Sequence, residues 1–189
     1  MGEEKATEDL ETIAEEVRSC QLCPLARSRT HAVPGEGSVK AGVVFVGEGP
    51  GAEEDRQGRP FVGTAGKILN EALSSGGFKR QDIFITNTVK CRPPGNRIPA
   101  IEERSACYPY LLKQLEIIKP KIVCLLGKTA METILGSGSL TMNRGKLIKH
   151  SDMNLFVTYH PAAVIYNPDL KRQIMSDIET LKHVLQESV

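Results

Sequence analysis

Three apolar runs in this chain end in a polar residue of a different kind. Val43-Val44-Phe45-Val46 runs into Gly47-Glu48-Gly49-Pro50-Gly51 and presents an acid, Glu48. Residues 82–89 carry an amide, Asn87, near their end, and the run near 155–158 leads to an imidazole, His160. A polar loop, 52–61, closes on an aromatic ring, Phe61. An acid, an amide, an imidazole and an aromatic slab at one sheet edge suit a flat heterocycle. Phe61 stacks on it, Asn87 offers a bidentate amide to its edge, His160 donates to a carbonyl, and Glu48 handles water or a cation. Gly47, Gly49 and Gly51 lack a Cβ, so a ligand can approach the backbone closely there.

A second chemical group is made of sulfur. The chain has five cysteines. Cys20 and Cys23 form a C-x-x-C, and fifteen residues separate Cys91 from Cys107. Cys124 lies in Ile122-Val123-Cys124-Leu125-Leu126 and reads as a small buried hydrophobe. Cys20-Cys23 follows a helical stretch, not a strand, which argues against a thioredoxin-like pair. With no secretion signal at the N-terminus, a disulfide framework is not expected. The four remaining thiols suit a metal, either tetrahedral zinc or an iron–sulfur cluster.

The elements that must position these groups follow from periodicity. Leu10, Ile13, Ala14 and Val17 predict a helix over 7–19 that delivers Cys20 and Cys23. Residues 27–41 read as a loop or hairpin. Strands are expected over 43–47, 82–89, 121–126 and near 155–158; helices over 64–75, 101–118, 128–135 and 169–187. This β-α alternation implies an α/β fold with a mostly parallel four-stranded sheet between two helical layers. In such sheets ligands bind beyond the C-terminal strand ends, where Glu48, Asn87 and His160 fall. One domain over residues 1–189 is expected.

Apolar residues make up 40%, charged residues 25%, and the net charge is +1. No run reaches the ~18 apolar residues of a membrane span, so a cytoplasmic protein with no membrane partner is expected. The near-neutral charge rules out a general polyanion binder but not a local basic patch, for which Lys90, Arg92 and Arg97 are the candidates.

The strings Gly47-Glu48-Gly49-Pro50-Gly51, Gly58-Arg59-Pro60-Phe61-Val62-Gly63, Thr86-Asn87-Thr88-Val89-Lys90-Cys91-Arg92-Pro93-Pro94 and His160-Pro161-Ala162-Ala163 occur in order. Together with the cysteine pattern they resemble the family 4 uracil-DNA glycosylases of bacteria and archaea, from Cys20 to the final helix. The resemblance implies a structural 4Fe–4S cluster on Cys20, Cys23, Cys91 and Cys107. It implies hydrolysis of the N-glycosidic bond of a flipped-out deoxyuridine, with uracil as product and an abasic site left in the DNA. It assigns Glu48 and His160 to catalysis and a uracil site to Gly47, Glu48, Gly49, Gly51, Glu54, Phe61, Asn87 and His160. Glu54 would exclude the thymine methyl. Lys90, Arg92 and Arg97 would meet phosphates, and Val164 and Ile165 would wedge the minor groove. The uracil-DNA glycosylase fold, a monomer working at the nucleoid, and replication or repair factors as protein partners are the further expectations. A covalent uracil-binding relative is set aside, because Asn96-Arg97-Ile98-Pro99 holds no histidine. A DNA-binding module with a metal knot but no catalysis is the rival reading.

Overall fold

The computed structural model describes residues 2–187. Helix α1 (Glu3–Ser19) and a short turn, α2 (Leu25–Ser28), precede a two-residue strand, β1 (Glu36–Gly37). Then come β2 (Val43–Gly47), α3 (Ala52–Gln57), α4 (Thr64–Ser75), β3 (Phe84–Asn87) and α5 (Ile101–Ile118). The chain continues through β4 (Ile122–Leu126), α6 (Lys128–Leu135), α7 (Leu140–Asn143), β5 (Leu147–His150) and β6 (Met153–Thr158). It closes with α8 (Ala163–Tyr166) and α9 (Leu170–Glu187).

The sheet has six strands in the order β1-β3-β2-β4-β6-β5, two more than expected. The four inner strands are the expected parallel ones, and β1 and β5 add antiparallel edges. Both additions are short edge strands; β1 has only two residues, and β5 alternates exposed with half-buried residues. Neither carries the continuous apolar run that marks a buried strand.

Every residue of β2 is buried, as a central parallel strand requires. Val43 and Phe45 face a core shared with Leu69 and Leu73 of α4 and Ile174 and Ile178 of α9. Val44 and Val46 face the opposite core, with Leu111 and Leu115 of α5 and Met131 of α6. Alternation along one strand therefore fills both faces, which makes the three-layer sandwich. A third cluster joins Ile13 and Val17 of α1 to Leu25, Val89, Cys91 and Cys107.

Two local elements differ from expectation. The polar stretch after Gly51 contains helix α3, because three acids fill its first turn and Glu54 reaches back to the Gly51 N–H at 3.1 Å. Gly58, at φ +69°, ends it. The strand expected over 82–89 is shorter. Thr88 and Val89 instead cross to the carbonyls of Gly47 and Glu48 at 2.9 and 3.3 Å.

Candidate active site and cysteine centre

Parallel register brings the strand ends together: Gly47 pairs with Asn87, and Leu126 pairs with Thr158. Beyond this edge lies a cleft of about 490 Å³ whose walls include Glu48, Gly49, Gly51, Glu54, Phe61 and His160. That volume falls within the range of small-molecule sites.

His160 occupies the turn after β6. Its Nδ1 accepts the backbone N–H of Ala162 at 3.1 Å, so the ring proton belongs on Nε2. Burial lowers its pKa to about 4, and the imidazole is neutral at ordinary pH. Nε2 is buried with no partner. Gly127, at φ +89°, makes room for it, since a Cβ there would stand 2.8 Å from the His160 Cβ.

Asn87 is buried behind the cleft wall, and its Oδ1 also has no partner. A Cβ on Gly47 would meet that oxygen at 2.5 Å and the Phe61 ring at 2.6 Å. The missing side chain at Gly47 therefore lets amide and ring converge. Phe61 itself has φ +49°, a costly conformation for an aromatic residue. It is held from two sides. Arg80 donates to the carbonyls of Pro60 and Phe61 at 2.5 and 3.3 Å, and Gly66 of α4 packs where a Cβ would strike the Phe61 carbonyl at 1.9 Å. The Phe61 and His160 rings lie 5.6 Å apart, tilted by 34°.

Two carboxylates face the cleft in different states. Glu54 is committed to backbone: Oε1 accepts from Val62 and Gly63, each at 2.8 Å, and Oε2 from Gly51. It ties the Phe61 loop to the glycine-rich turn. Glu48 accepts a hydrogen bond from Thr129 Oγ1 through Oε2, and Thr88 Oγ1 donates to its carbonyl at 2.6 Å. Thr129 and Glu48 are eighty-one residues apart, and no sequence pattern links them. Asn96, also absent from the expected site, lines the cleft at φ +56° and accepts from Arg92 Nε at 2.8 Å.

Two expected DNA contacts need correction. Lys90 is only 1% exposed. Its Nζ donates to Thr86 Oγ1, to the Asn87 carbonyl at 3.0 Å and to Gln114 Oε1 at 2.8 Å, so it cannot reach a phosphate. Burial lowers its pKa to about 8. Val164 packs into the core because the loop after His160 coils into α8, which turns Val164 inward and leaves Ile165 and Tyr166 at the cleft mouth. Tyr166 is 89% exposed. Arg97 stays at the cleft rim, paired with Glu103 at 2.7 Å.

Cys20, Cys23, Cys91 and Cys107 line one small pocket walled by Val17, Leu22 and Tyr110. Cys124 is fully buried in the sheet, apart from them. Arg29 Nη1 donates to Cys91 Sγ at 2.9 Å, the Lys90 N–H to Cys107 Sγ at 3.3 Å and the Leu22 N–H to Cys20 Sγ at 3.5 Å. Burial pushes the Cys107 thiol up to about 11. Four thiols in an apolar pocket with N–H donors aimed at sulfur fit a thiolate-bound metal group. Among the described residues, no three His, Cys, Asp or Glu side chains group to hold a single metal ion.

Residues 34–179 match the model of the Uracil DNA glycosylase superfamily. The chain is 46% identical to the type-4 uracil-DNA glycosylase of Sulfurisphaera tokodaii, over 94% of this chain and 85% of that protein. It is 47% identical to that of Pyrobaculum aerophilum, over 90% and 91%, and 43% identical to that of Thermotoga maritima, over 94% and 95%. With relatives of this identity covering at least nine-tenths of its length, the chain belongs to the type-4 uracil-DNA glycosylases of the Uracil DNA glycosylase superfamily.

Proposed function

We propose that this protein excises uracil from DNA, hydrolysing the N-glycosidic bond and leaving an abasic site for repair. The observation that carries the reading is a pair of buried, unpartnered atoms of opposite sense: the Asn87 Oδ1 acceptor and the neutral His160 Nε2–H donor. Uracil offers a donor at N3 and acceptors at O2 and O4. Cytosine has an acceptor at N3 and leaves the Asn87 oxygen unsatisfied, a cost of about 1–3 kcal/mol.

The deoxyuridine leaves the stack at a cost of a few kcal/mol and enters the cleft with its ring on Phe61. Ile165 and Tyr166 fill the gap in the duplex, and Arg92 and Arg97 meet the flanking phosphates. The C1′–N1 bond breaks, and its electron pair leaves with the base and spreads onto O2. His160 Nε2–H donates to that oxygen and keeps its proton. Glu48, oriented by Thr129, stabilises the cationic sugar and directs water to C1′; the proton of that water passes to the carboxylate. Glu54 holds the turn and the Phe61 loop at the spacing the base requires and stands against C5.

Cys20, Cys23, Cys91 and Cys107 would hold a 4Fe–4S cluster, which supplies a structural cross-link and no catalytic step. Four thiols that line one apolar pocket support this reading. We read residues 1–189 as one domain acting as a monomer in the cytoplasm, at the nucleoid among repair factors. No helix among the described residues is long and apolar enough to cross a membrane.

The test is uracil release from an end-labelled duplex with one U·G pair, read by alkali cleavage at the abasic site. The expected outcome is cleavage at the uracil and none in a T·A control. No cleavage by cluster-loaded protein would overturn the reading in favour of DNA binding without catalysis.

A further inference from the structure

Among the described residues Lys90 is the one lysine buried to 1%, and none of its three Nζ partners is a carboxylate. Nζ has three acceptors, Thr86 Oγ1, the Asn87 carbonyl and Gln114 Oε1. Nζ therefore meets a polar partner in each of its three hydrogen-bonding directions. The acceptors are themselves fixed. Thr86 Oγ1 and Gln114 Nε2 both donate to the Pro34 carbonyl, at 3.0 and 2.8 Å. At its other end, the Lys90 backbone N–H bonds to Cys107 Sγ and its carbonyl accepts from Val33 at 2.7 Å. The Asn87 side chain lacks an anchor of its own at Oδ1, which is unpartnered, so its placement depends on the backbone, held by the pairing with Gly47 and by the Thr88 and Val89 N–H bonds to β2 as well as by Lys90.

We propose that Lys90 is a positioning residue for base reading, its interior Nζ fixing the peptide of Asn87 so that the Asn87 amide is held ready for the uracil edge. Lying between the strand end and the cysteine pocket, Lys90 turns the rigidity of the cysteine knot into rigidity at the base-reading amide. The kinetic arm of the test rests on the function proposed above; the exchange arm does not.

Lys90→Met keeps the aliphatic stem and removes all three Nζ hydrogen bonds. Combined with Asn87→Ala it completes a double-mutant cycle on uracil release. Lys90→Met is expected to lower kcat/KM about tenfold in the wild type and less than about twofold in the Asn87→Ala background. A role in general stability would lower both equally, and equal losses would overturn the proposal. The second arm is hydrogen exchange at the Thr88 and Val89 amides, which bond to the Gly47 and Glu48 carbonyls. They are expected to exchange at least about tenfold faster in cluster-loaded Lys90→Met, while amides of β4 are unchanged. Unaltered exchange at Thr88 and Val89 would equally overturn the proposal. Thr86→Val removes one Nζ acceptor without touching a cysteine neighbour, and serves both arms if Lys90→Met does not fold. A wild type that releases no uracil overturns the functional reading alone, and the exchange arm still decides whether Lys90 holds the strand end.

Discussion

The Ala162 N–H leaves His160 Nδ1 no proton to carry, and burial holds the ring's pKa at about 4. The proposed donor to the leaving base is therefore a neutral imidazole, and two outcomes follow. His160→Ala should slow uracil release by about 10²–10³-fold with DNA affinity retained, as loss of one preorganised donor does; single-turnover rates and gel-shift binding check this. The folded ring also refuses a proton that the unfolded chain accepts below about 6.5. Stability contributed by the neutral ring is full above that pH and is lost as pH falls toward about 4. The wild type's melting temperature should lose ground to that of His160→Ala across that window. At this scale the sequence reveals the acid, amide, imidazole and ring because each follows an apolar run or closes a polar loop. It hides their supports. Lys90 stands beside Arg92 and reads as one more surface cation, whereas the fold turns its stem inward to Gln114. Thr129 approaches Glu48 only through tertiary packing.

Elements set the spacing that these side chains need. Strand β2 ends in Gly47 because Asn87 Oδ1 and the Phe61 ring both occupy the space of its absent Cβ. Gly47→Ala should displace one of them, costing about 1–3 kcal/mol of stability by overpacking and raising KM for uracil-containing DNA even at temperatures where the variant stays folded. Urea melts and steady-state kinetics on the same preparation separate the two. Helix α5 is legible to the residue, Ile101–Ile118, and α6 likewise, Lys128–Leu135, since long periodic segments bounded by Pro, Gly or Ala-rich loops leave little choice. Strand β5 is not, because an antiparallel edge can alternate Leu, Ile, Lys and His with no buried run. Helix α8 is invisible for a related reason. Four residues hold too little periodicity to distinguish a turn of helix from a loop, and that turn decides that Tyr166 faces outward in place of Val164.

For the molecule as a whole, the cysteine centre joins distant parts of the chain. Cys20 follows α1 and Cys107 lies within α5, so the proposed cluster closes a loop of 87 residues, 107 minus 20. By chain entropy a cross-link of that length contributes about 4–5 kcal/mol. Cys23→Ala should lose the iron and lower the melting temperature by roughly 10–20 °C, with proteolysis opening first in the segment that follows α1; iron content, thermal melts and limited digestion check it. The same connectivity carries an order in time. All four thiols exist once residue 107 has been made, but His160 comes 53 residues later, 160 minus 107, and the Asp177 that braces Thr158 comes later still. At about 5–20 residues per second, a growing chain spends roughly 3–10 s with its sulfur ligands complete and its imidazole not yet made. The ligands of the proposed cluster are thus complete before the imidazole exists, and the chain gains its capacity to excise uracil only in the last stretch of its synthesis.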